Sequence, residues 1–367
     1  MRYPLLLCLA LLGTALAGEP AYPLWDGHES IEQYAKKVIL PPTKTLDLGN
    51  GVKLELVLIP AGKFIMGTPE PVPVDEDGFQ RKILTGQALL AASGGILAVL
   101  LAFVVIKAIR KRQRPKYSLL WLLAMTAMAG VAVLSGVRWR NSVQAMEREL
   151  AEFQVVKARF DGANSNEKPA HSVTLTKAFY FGKFVVTQEQ WQQLTGENRG
   201  FQRNAKPADW ISWEDAKQFC KVVSEKANVL ARLPTEAEWE YACRAGTRTL
   251  YYSGDKEDEL ARVAWFITNS RHRLQSVGQL EPNGFGLYDM HGNIFQWCQD
   301  LYGEDYYDKS EAQNPQGPTT GDAHVVRGSA WYTPSVFCRS TIRSGASDAR
   351  SNNVGLRVVV EPAFKAP

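Results

Sequence analysis

Two long uncharged segments separated by a basic cluster constrain the fold of this chain more than any other feature. Residues 83–106 form a run of 24 without a charge, and residues 117–137 form a run of 21. Each run is long enough to cross about 30 Å of hydrocarbon as a helix. Residues 107–116, KAIRKRQRPK, contain six Lys or Arg residues. The pattern predicts a transmembrane hairpin. The alternative, a pair of buried core helices, fits a charge-flanked arrangement poorly.

The basic loop also predicts the orientation of the chain in the membrane. Lys and Arg collect on the cytoplasmic side, so residues 107–116 are assigned to the cytoplasm and both outer ends of the hairpin face away from it. Residues 1–17 have a basic start, an apolar run and small residues at the end, which predicts a cleaved signal peptide. A retained membrane anchor is the alternative. Residues 138–160 are charged and favour a helical stalk.

Composition limits the kinds of partner. The net charge is +4, and the basic loop alone carries six positive charges, so the rest of the chain is close to neutral. This excludes an extended nucleic-acid surface and predicts no nucleic-acid partner. The expected location is the inner (cytoplasmic) membrane, with the soluble part on the periplasmic, extracytoplasmic side. The sequence leaves the oligomeric state open.

The soluble part flanks the hairpin. Residues 18–53 form an N-terminal segment, and residues 54–72 and 167–361 form the two parts of one domain. Short β-type runs alternate with Gly and Pro, and two helices are predicted, at 212–228 and 234–244. Their predicted N-caps are Ser212 and Thr235, with Asp215 and Glu238 completing the capping boxes. The alternating Glu236, Glu238 and Glu240 predict a solvent-facing stripe.

Five motifs occur in a fixed order: IPAGKFIMG, LPTEAEWEYACRAG, NGFGLYDMHGNIFQWCQD, HVVRGSAW and NNVGLRVVV. Together they resemble the formylglycine-generating enzyme family, also called sulfatase-modifying factors. The resemblance implies an α+β fold related to C-type lectins, with little regular secondary structure. The membrane hairpin is then an insertion in a surface loop of that domain, which is tolerated where the two ends of the loop lie close together.

The resemblance also raises the question of catalysis. Enzymes of this family oxidise a sulfatase cysteine to formylglycine, using two cysteines five positions apart that bind Cu(I). The matching stretch, RGSAWYTPSVFCRSTIR, has one cysteine, Cys338, and Ala330 where the motif has Ser. The family pattern favours Cys338 as a structural cysteine in a disulfide with Cys243. A second alignment makes Thr333 and Cys338 the catalytic positions. Either way the pair is broken, and no copper is expected.

The remaining candidate site residues are two further cysteines and a predicted calcium loop. An even number of cysteines after the signal peptide is typical of an exported, disulfide-bonded chain. Cys220 and Cys298 either pair or remain buried free thiols; both alternatives stay open. Residues 289–296 resemble the family's calcium loop, with Asp289 and Gln296 contributing side chains and Gly292 and Ile294 contributing carbonyls. Gln296 replaces the usual Glu, which weakens the site. A metal-free turn is the alternative to calcium.

These observations favour a membrane-anchored, non-catalytic binding or scaffold module whose partner is an exported protein or peptide. This interpretation depends on the absence of one of the family's two catalytic cysteines. The competing hypothesis is a formylglycine-generating oxidase that converts a sulfatase cysteine to formylglycine. It requires Cys338 to be a free thiol that binds copper.

Overall fold

The computed structural model describes residues 22–70, 161–200, 204–347 and 349–362, together with isolated positions between 81 and 154. The chain divides into two compact units: Met1–Thr68 with Asn164–Pro367, and Pro69–Ala163. Among the described residues, no helix is both long enough and apolar enough to span a bilayer. The signal peptide, both spans, the basic loop and the stalk lie outside them, apart from isolated positions. The hairpin therefore stays a prediction from the sequence.

The first unit combines short helices with short strands. Its described helices are α1 (Ile31–Lys37), α2 (Gln188–Thr195), α3 (Trp213–Ala227), α4 (Glu236–Arg244) and α5 (Glu257–Ala261). Its strands are β1 (Thr43–Gly49), β2 (Val52–Ile59), β3 (Gly62–Met66), β4 (His171–Leu175), β5 (Phe179–Gly182), β6 (Ala231–Arg232), β7 (Ala264–Trp265), β8 (His291–Gly292), β9 (Phe295–Leu301), β10 (His324–Arg327), β11 (Arg343–Ala346), β12 (Val354–Gly355) and β13 (Val359–Val360). Long irregular connections separate them, so the expected α+β class with little regular structure is confirmed.

Two main sheets organise this unit. The first has the strand order β1-β2-β5-β13-β6 and is antiparallel throughout. The second has the order β11-β10-β9-β12, and only β12 runs parallel to its neighbour β9. Residues Leu56 to Ile59 of β2 are all buried, because this strand lies between β1 and β5 and is covered on both faces. The first sheet begins at Thr43, upstream of the predicted domain start at residue 54.

Helices α3 and α4 begin where their capping residues predict. The Ser212 side chain accepts a hydrogen bond from the Asp215 N–H, and the Asp215 carboxylate accepts one from the Ser212 N–H. Thr235 and Glu238 form the same reciprocal pair at the start of α4. Each box satisfies backbone donors that the first helical turn leaves unpaired. Both predicted helices and both predicted caps are confirmed.

The two chain segments that flank residues 69–163 lie side by side. Strands β3 and β4 pair in register, with Met66 opposite His171. Just beyond, the Thr68 N–H donates to the Glu167 carbonyl at 2.9 Å, and the Thr68 hydroxyl donates to the Glu167 carboxylate at 3.1 Å. Glu167 is fully buried and also pairs with Arg339. The domain is therefore closed at the point where the predicted insertion leaves and returns.

Candidate functional site

A buried network of ion pairs lies next to the segment that carries Thr333 and Cys338. Arg327 on β10 contacts Glu240 and lies 3.5 Å from Glu236, both on α4. Arg343 donates to Glu236 at 2.6 Å, and Arg244 donates to Glu240 at 2.9 Å. Burial alone would raise the pKa of Glu240, but Arg244 and Arg327 hold that pKa below its ordinary value. The prediction of a solvent-facing glutamate stripe is wrong, because Glu236 and Glu240 pair with Arg327 and Arg343 from elsewhere in the chain and with Arg244 of the same helix. Glu238 is also buried and pairs with Arg232.

The network fixes the start of the turn that carries the cysteine. Arg327 ends β10, and Ser329 two residues later is fully buried with a φ of +70°. The Ser329 hydroxyl hydrogen-bonds to the Thr333 hydroxyl, which in turn donates to the Ala330 carbonyl at 2.8 Å. These bonds close a tight turn after β10. The turn brings the Thr333 Oγ1 to 3.7 Å from the Cys338 Sγ.

Thr333 and Cys338 therefore occupy neighbouring places, five positions apart. This distance is compatible with the second alignment, which stays a prediction beside the structural assignment of Cys338. Burial raises the pKa of the Cys338 thiol, and the hydroxyls of Ser329 and Thr333 offset this only in part. A metal ligand and nucleophile must be a thiolate. One protonated thiol beside a threonine does not fit a two-thiolate Cu(I) site.

The predicted Cys243–Cys338 disulfide is not formed in the structure. All four cysteines of the described chain are buried free thiols, including Cys220 and Cys298. The Cys243 Sγ lies 3.9 Å from the His291 Nε2, and His291 accepts a hydrogen bond from the Tyr252 N–H at this nitrogen. Burial lowers the pKa of His291 to about 3 and raises the pKa of Cys243 to about 12. Cys243 thus contacts a neutral histidine and the Ser340 side chain, while Cys338 contacts Thr333.

The predicted calcium ligands cluster, and three of the four already accept hydrogen bonds. The Gln296 Oε1 accepts hydrogen bonds from the Trp239 indole at 2.9 Å and from the Arg357 guanidinium at 3.1 Å. The Asp289 Oδ2 accepts the Gly278 N–H at 2.8 Å, and the Gly292 carbonyl accepts the Ile294 N–H at 2.8 Å. Calcium requires six to eight oxygen ligands. The hydrogen bonds at Gln296, Asp289 and Gly292 compete with an ion for the same oxygens. Calcium at Asp289, Gly292, Ile294 and Gln296 stays a prediction.

Asp289 gives a pH-dependent stability that can be measured. Burial raises the pKa of Asp289 from 3.8 to about 6. The Gly278 N–H and the Arg357 charge lower this pKa, but their effect is smaller than that of burial. The folded state therefore prefers the protonated carboxyl. The protonated Asp289 carboxyl makes its full contribution to the free energy of unfolding below about pH 4. That contribution is lost as pH rises through about 6. Asp289→Asn changes the free energy of unfolding relative to wild type. We expect this change to be more stabilising at pH 7 than at pH 4, by roughly 3 kcal/mol at most.

Urea unfolding of both proteins at the two pH values measures this difference. An equal effect of Asp289→Asn at pH 4 and pH 7 would show that the carboxyl titrates normally. Repeating the pH 7 measurement with added calcium tests the predicted ligand set. Stabilisation of wild type but not of Asp289→Asn would place the ion at this loop.

An exposed apolar surface borders the turn. Ile267, Tyr332, Val336 and Phe337 are 40%, 37%, 53% and 46% exposed, respectively. The Ile267 N–H donates to the Thr333 carbonyl at 3.1 Å, which joins this residue to the turn. The tyrosine hydroxyl hydrogen-bonds to Asn353. The sequence motifs identified the cysteine segment but gave no sign of this surface, because it joins residues from separate segments.

Comparison with known proteins agrees with the resemblance. The sequence model described as "Sulfatase-modifying factor enzyme 1-like domain" matches residues 146–362. A formylglycine-generating enzyme from Streptomyces coelicolor is 32% identical over 169 residues, 41% of this chain and 51% of that enzyme. A chaperone protein LppX from Paenibacillus barcinonensis is 28% identical over 254 residues, 54% of this chain and 86% of that protein.

A serine/threonine-protein kinase pkn1 from Chlamydia pneumoniae is 39% identical over 127 residues, 34% of this chain but only 19% of the kinase. The chain thus spans about a fifth of this kinase and about half of the Streptomyces enzyme. Among solved structures, Treponema denticola variable protein 1 has a TM-score of 0.57 at 21% identity. PvdO from Pseudomonas aeruginosa has a TM-score of 0.56 at 22% identity. Each of these two covers 88% of this chain, and they support the fold alone.

The family match extends over more than half of the chain and agrees with the order of the motifs and with the fold. The chain belongs to the family of proteins with a sulfatase-modifying factor enzyme 1-like domain.

Proposed function

We propose that this protein is a membrane-anchored, extracytoplasmic binding module of its family, which holds an exported protein or peptide and does not oxidise it. The observation that carries the proposal is the Thr333–Cys338 pair. Under the second alignment, one threonine and one buried, protonated thiol take the places of the two thiolates that oxidation by this family requires. Binding does not need the missing thiolate, and the exposed apolar surface beside the turn remains available for it.

Two further features support a binding role. The match to the protein named chaperone protein LppX covers 86% of that relative. Its name indicates a chaperone rather than an oxidase. One fold commonly hosts different functions. The uncharged runs at 83–106 and 117–137, with the basic loop between them, support tethering to the inner membrane with the domain outside the cytoplasm.

The competing function is the formylglycine-generating oxidase, and one observation favours it. Cys338 is a free thiol in the structure rather than part of a disulfide. An oxidase needs such a thiol to be free. The burial of Cys338 and the lack of a second cysteine beside it weigh against this function.

A turnover assay decides between the two functions. Full-length protein is loaded with Cu(I) and incubated with oxygen, a reductant and a Cys-x-Pro-x-Arg peptide, and the Streptomyces coelicolor enzyme serves as the positive control. We expect no aldehyde in the peptide by mass spectrometry. Turnover that is lost in Cys338→Ser but kept in Cys220→Ser, a control at another buried thiol, would establish the oxidase and overturn the proposal.

A further inference from the structure

We propose that the partner segment held by this protein is acidic as well as apolar, and that it binds where the exposed apolar surface meets a pair of exposed arginines. The apolar part, Ile267, Tyr332, Val336 and Phe337, is called the platform. The cationic part, Arg271 and Arg273 with His272 between them, is called the tip. This inference rests on the proposed binding function and specifies the chemistry of its partner.

The four platform residues are brought near one another by their positions in the sequence and by one backbone hydrogen bond. Single exposed apolar side chains are normal on a protein surface, whereas a contiguous group indicates an interaction site. Tyr332 and Val336 flank Thr333 in sequence, and Phe337 immediately precedes Cys338. The hydrogen bond from the Ile267 N–H to the Thr333 carbonyl brings the fourth member to the same turn.

The tip is held in an unfavourable backbone conformation. Arg271 and His272 have φ values of +57° and +52°, a left-handed conformation that costs free energy for residues other than Gly. The Ser270 hydroxyl accepts the His272 N–H at 3.2 Å, and the Gln275 amide donates to the Ser270 carbonyl at 2.6 Å. The surrounding bonds thus stabilise a turn that presents exposed cationic side chains. Strain of this kind is often kept at functional sites.

One buried residue holds the tip and the platform next to each other. The Asn293 side chain exchanges two hydrogen bonds with the Gln275 backbone, at 3.0 and 3.2 Å. The Asn293 carbonyl accepts the Trp331 N–H at 2.9 Å. The loop that carries the tip and the segment that carries Tyr332 are therefore attached to the same point. A short extended segment can contact both.

The charges around the platform favour an acidic partner over a basic one. The Glu257 carboxylate accepts a hydrogen bond from the Ser335 hydroxyl at 2.6 Å. The Glu259 carboxylate accepts the N–H groups of Asp255 and Lys256 at 2.8 and 2.9 Å. Both carboxylates keep their negative charge, so we expect the acidic groups of the partner to contact Arg271 and Arg273 rather than the neighbourhood of Glu257. Within the part of the chain that the structure describes, the tip arginines make no ion pair. Unpaired cations beside an apolar surface recruit carboxylates.

A pair of labelled peptides tests the inference. One alternates Asp with Leu, and its twin has Lys in place of each Asp. Both are titrated by fluorescence anisotropy against the full-length protein in nanodiscs at low ionic strength. We expect the acidic peptide to bind wild type about tenfold more tightly than its twin, and added salt to reduce the difference.

Variants on exposed positions separate the two parts of the surface. Arg271→Glu with Arg273→Glu should abolish or reverse the preference, whereas Lys221→Glu with Lys217→Glu, the same charge change on α3, should leave it intact. Phe337→Ser should weaken both peptides equally. Equal affinity of wild type for the two peptides, no binding of either, or a preference that survives the tip reversal would overturn the inference. The turnover assay is independent of these outcomes, so the two proposals can fail separately.

Discussion

Thr333→Cys is expected to raise the affinity of the protein for Cu(I) by several orders of magnitude. The change places a second thiol five positions before Cys338, at a residue whose Oγ1 already lies 3.7 Å from the Cys338 Sγ. Two soft thiolates within reach of one ion are what Cu(I) prefers, and the metal itself promotes their deprotonation. An anaerobic titration in competition with a chromophoric Cu(I) chelator measures the affinity without relying on activity.

Two variants control this experiment. Thr333→Ser keeps a hydroxyl and should gain nothing, and Thr333→Cys with Cys338→Ser has one thiol and should return to the wild-type affinity. Loss of the hydrogen bond from Thr333 to the Ala330 carbonyl costs about 1 kcal/mol, so the variant should remain folded. A folded Thr333→Cys protein without added copper affinity would mean that these two residues do not correspond to the family's catalytic pair.

Replacing residues 71–160 by a short Gly/Ser linker is expected to leave the first unit folded and to move the protein from the membrane fraction to the soluble fraction. The physical reason is that Thr68 and Glu167 are hydrogen-bonded to each other, so a short linker can join the two ends. Loop closure depends weakly on length, with about 0.6 kcal/mol per doubling. The core of the unit is formed by residues on either side of the deletion.

Fractionation and circular dichroism of the shortened chain, after removal of the first 17 residues, check this expectation. The matched control is the same deletion with Glu167→Ala. That variant leaves Arg339 without its buried partner and removes the carboxylate that accepts the Thr68 hydroxyl, so it should be less stable by about 3 kcal/mol. A shortened chain that stays with the membrane would contradict anchoring by the hairpin. An unfolded one would contradict closure of the domain at Thr68 and Glu167.

Local signals in the sequence predicted two of the five described helices of the first unit, α3 and α4, whereas α1, α2 and α5 were not predicted. Capping boxes at Ser212 and Thr235 depend on residues three positions apart, and such patterns can be identified without tertiary information. The family motifs predicted the α+β class in the same way, because they extend through most of the unit. The helical insertion could be stated only as a prediction, since its residues fall almost wholly outside the described ranges.

Long-range contacts decided what the sequence could not predict. The sequence of α4 predicts that Glu236 and Glu240 are solvated. In the structure, Arg327 pairs with Glu240 across 87 residues of sequence, and Arg343 pairs with Glu236 across 107. The same holds for the site. Thr333 and Cys338 are close in sequence, but their contact depends on the Ser329 turn, and the loop of the tip is joined to the segment of Tyr332 through Asn293. Spacing alone cannot supply this information, because it concerns the packing of distant segments.

The strand pairing around the insertion has a consequence for biogenesis. Strands β2 and β3 emerge from the ribosome before residues 69–163, whereas their partners β5 and β4 emerge after them. At translation rates of about 5–20 residues per second, the delay is roughly 5–20 s. During this interval the β1–β2 hairpin can form, but the second edge of β2 and both edges of β3 are unpaired. The nascent chain must keep these edges from aggregating while the intervening segment is being synthesised.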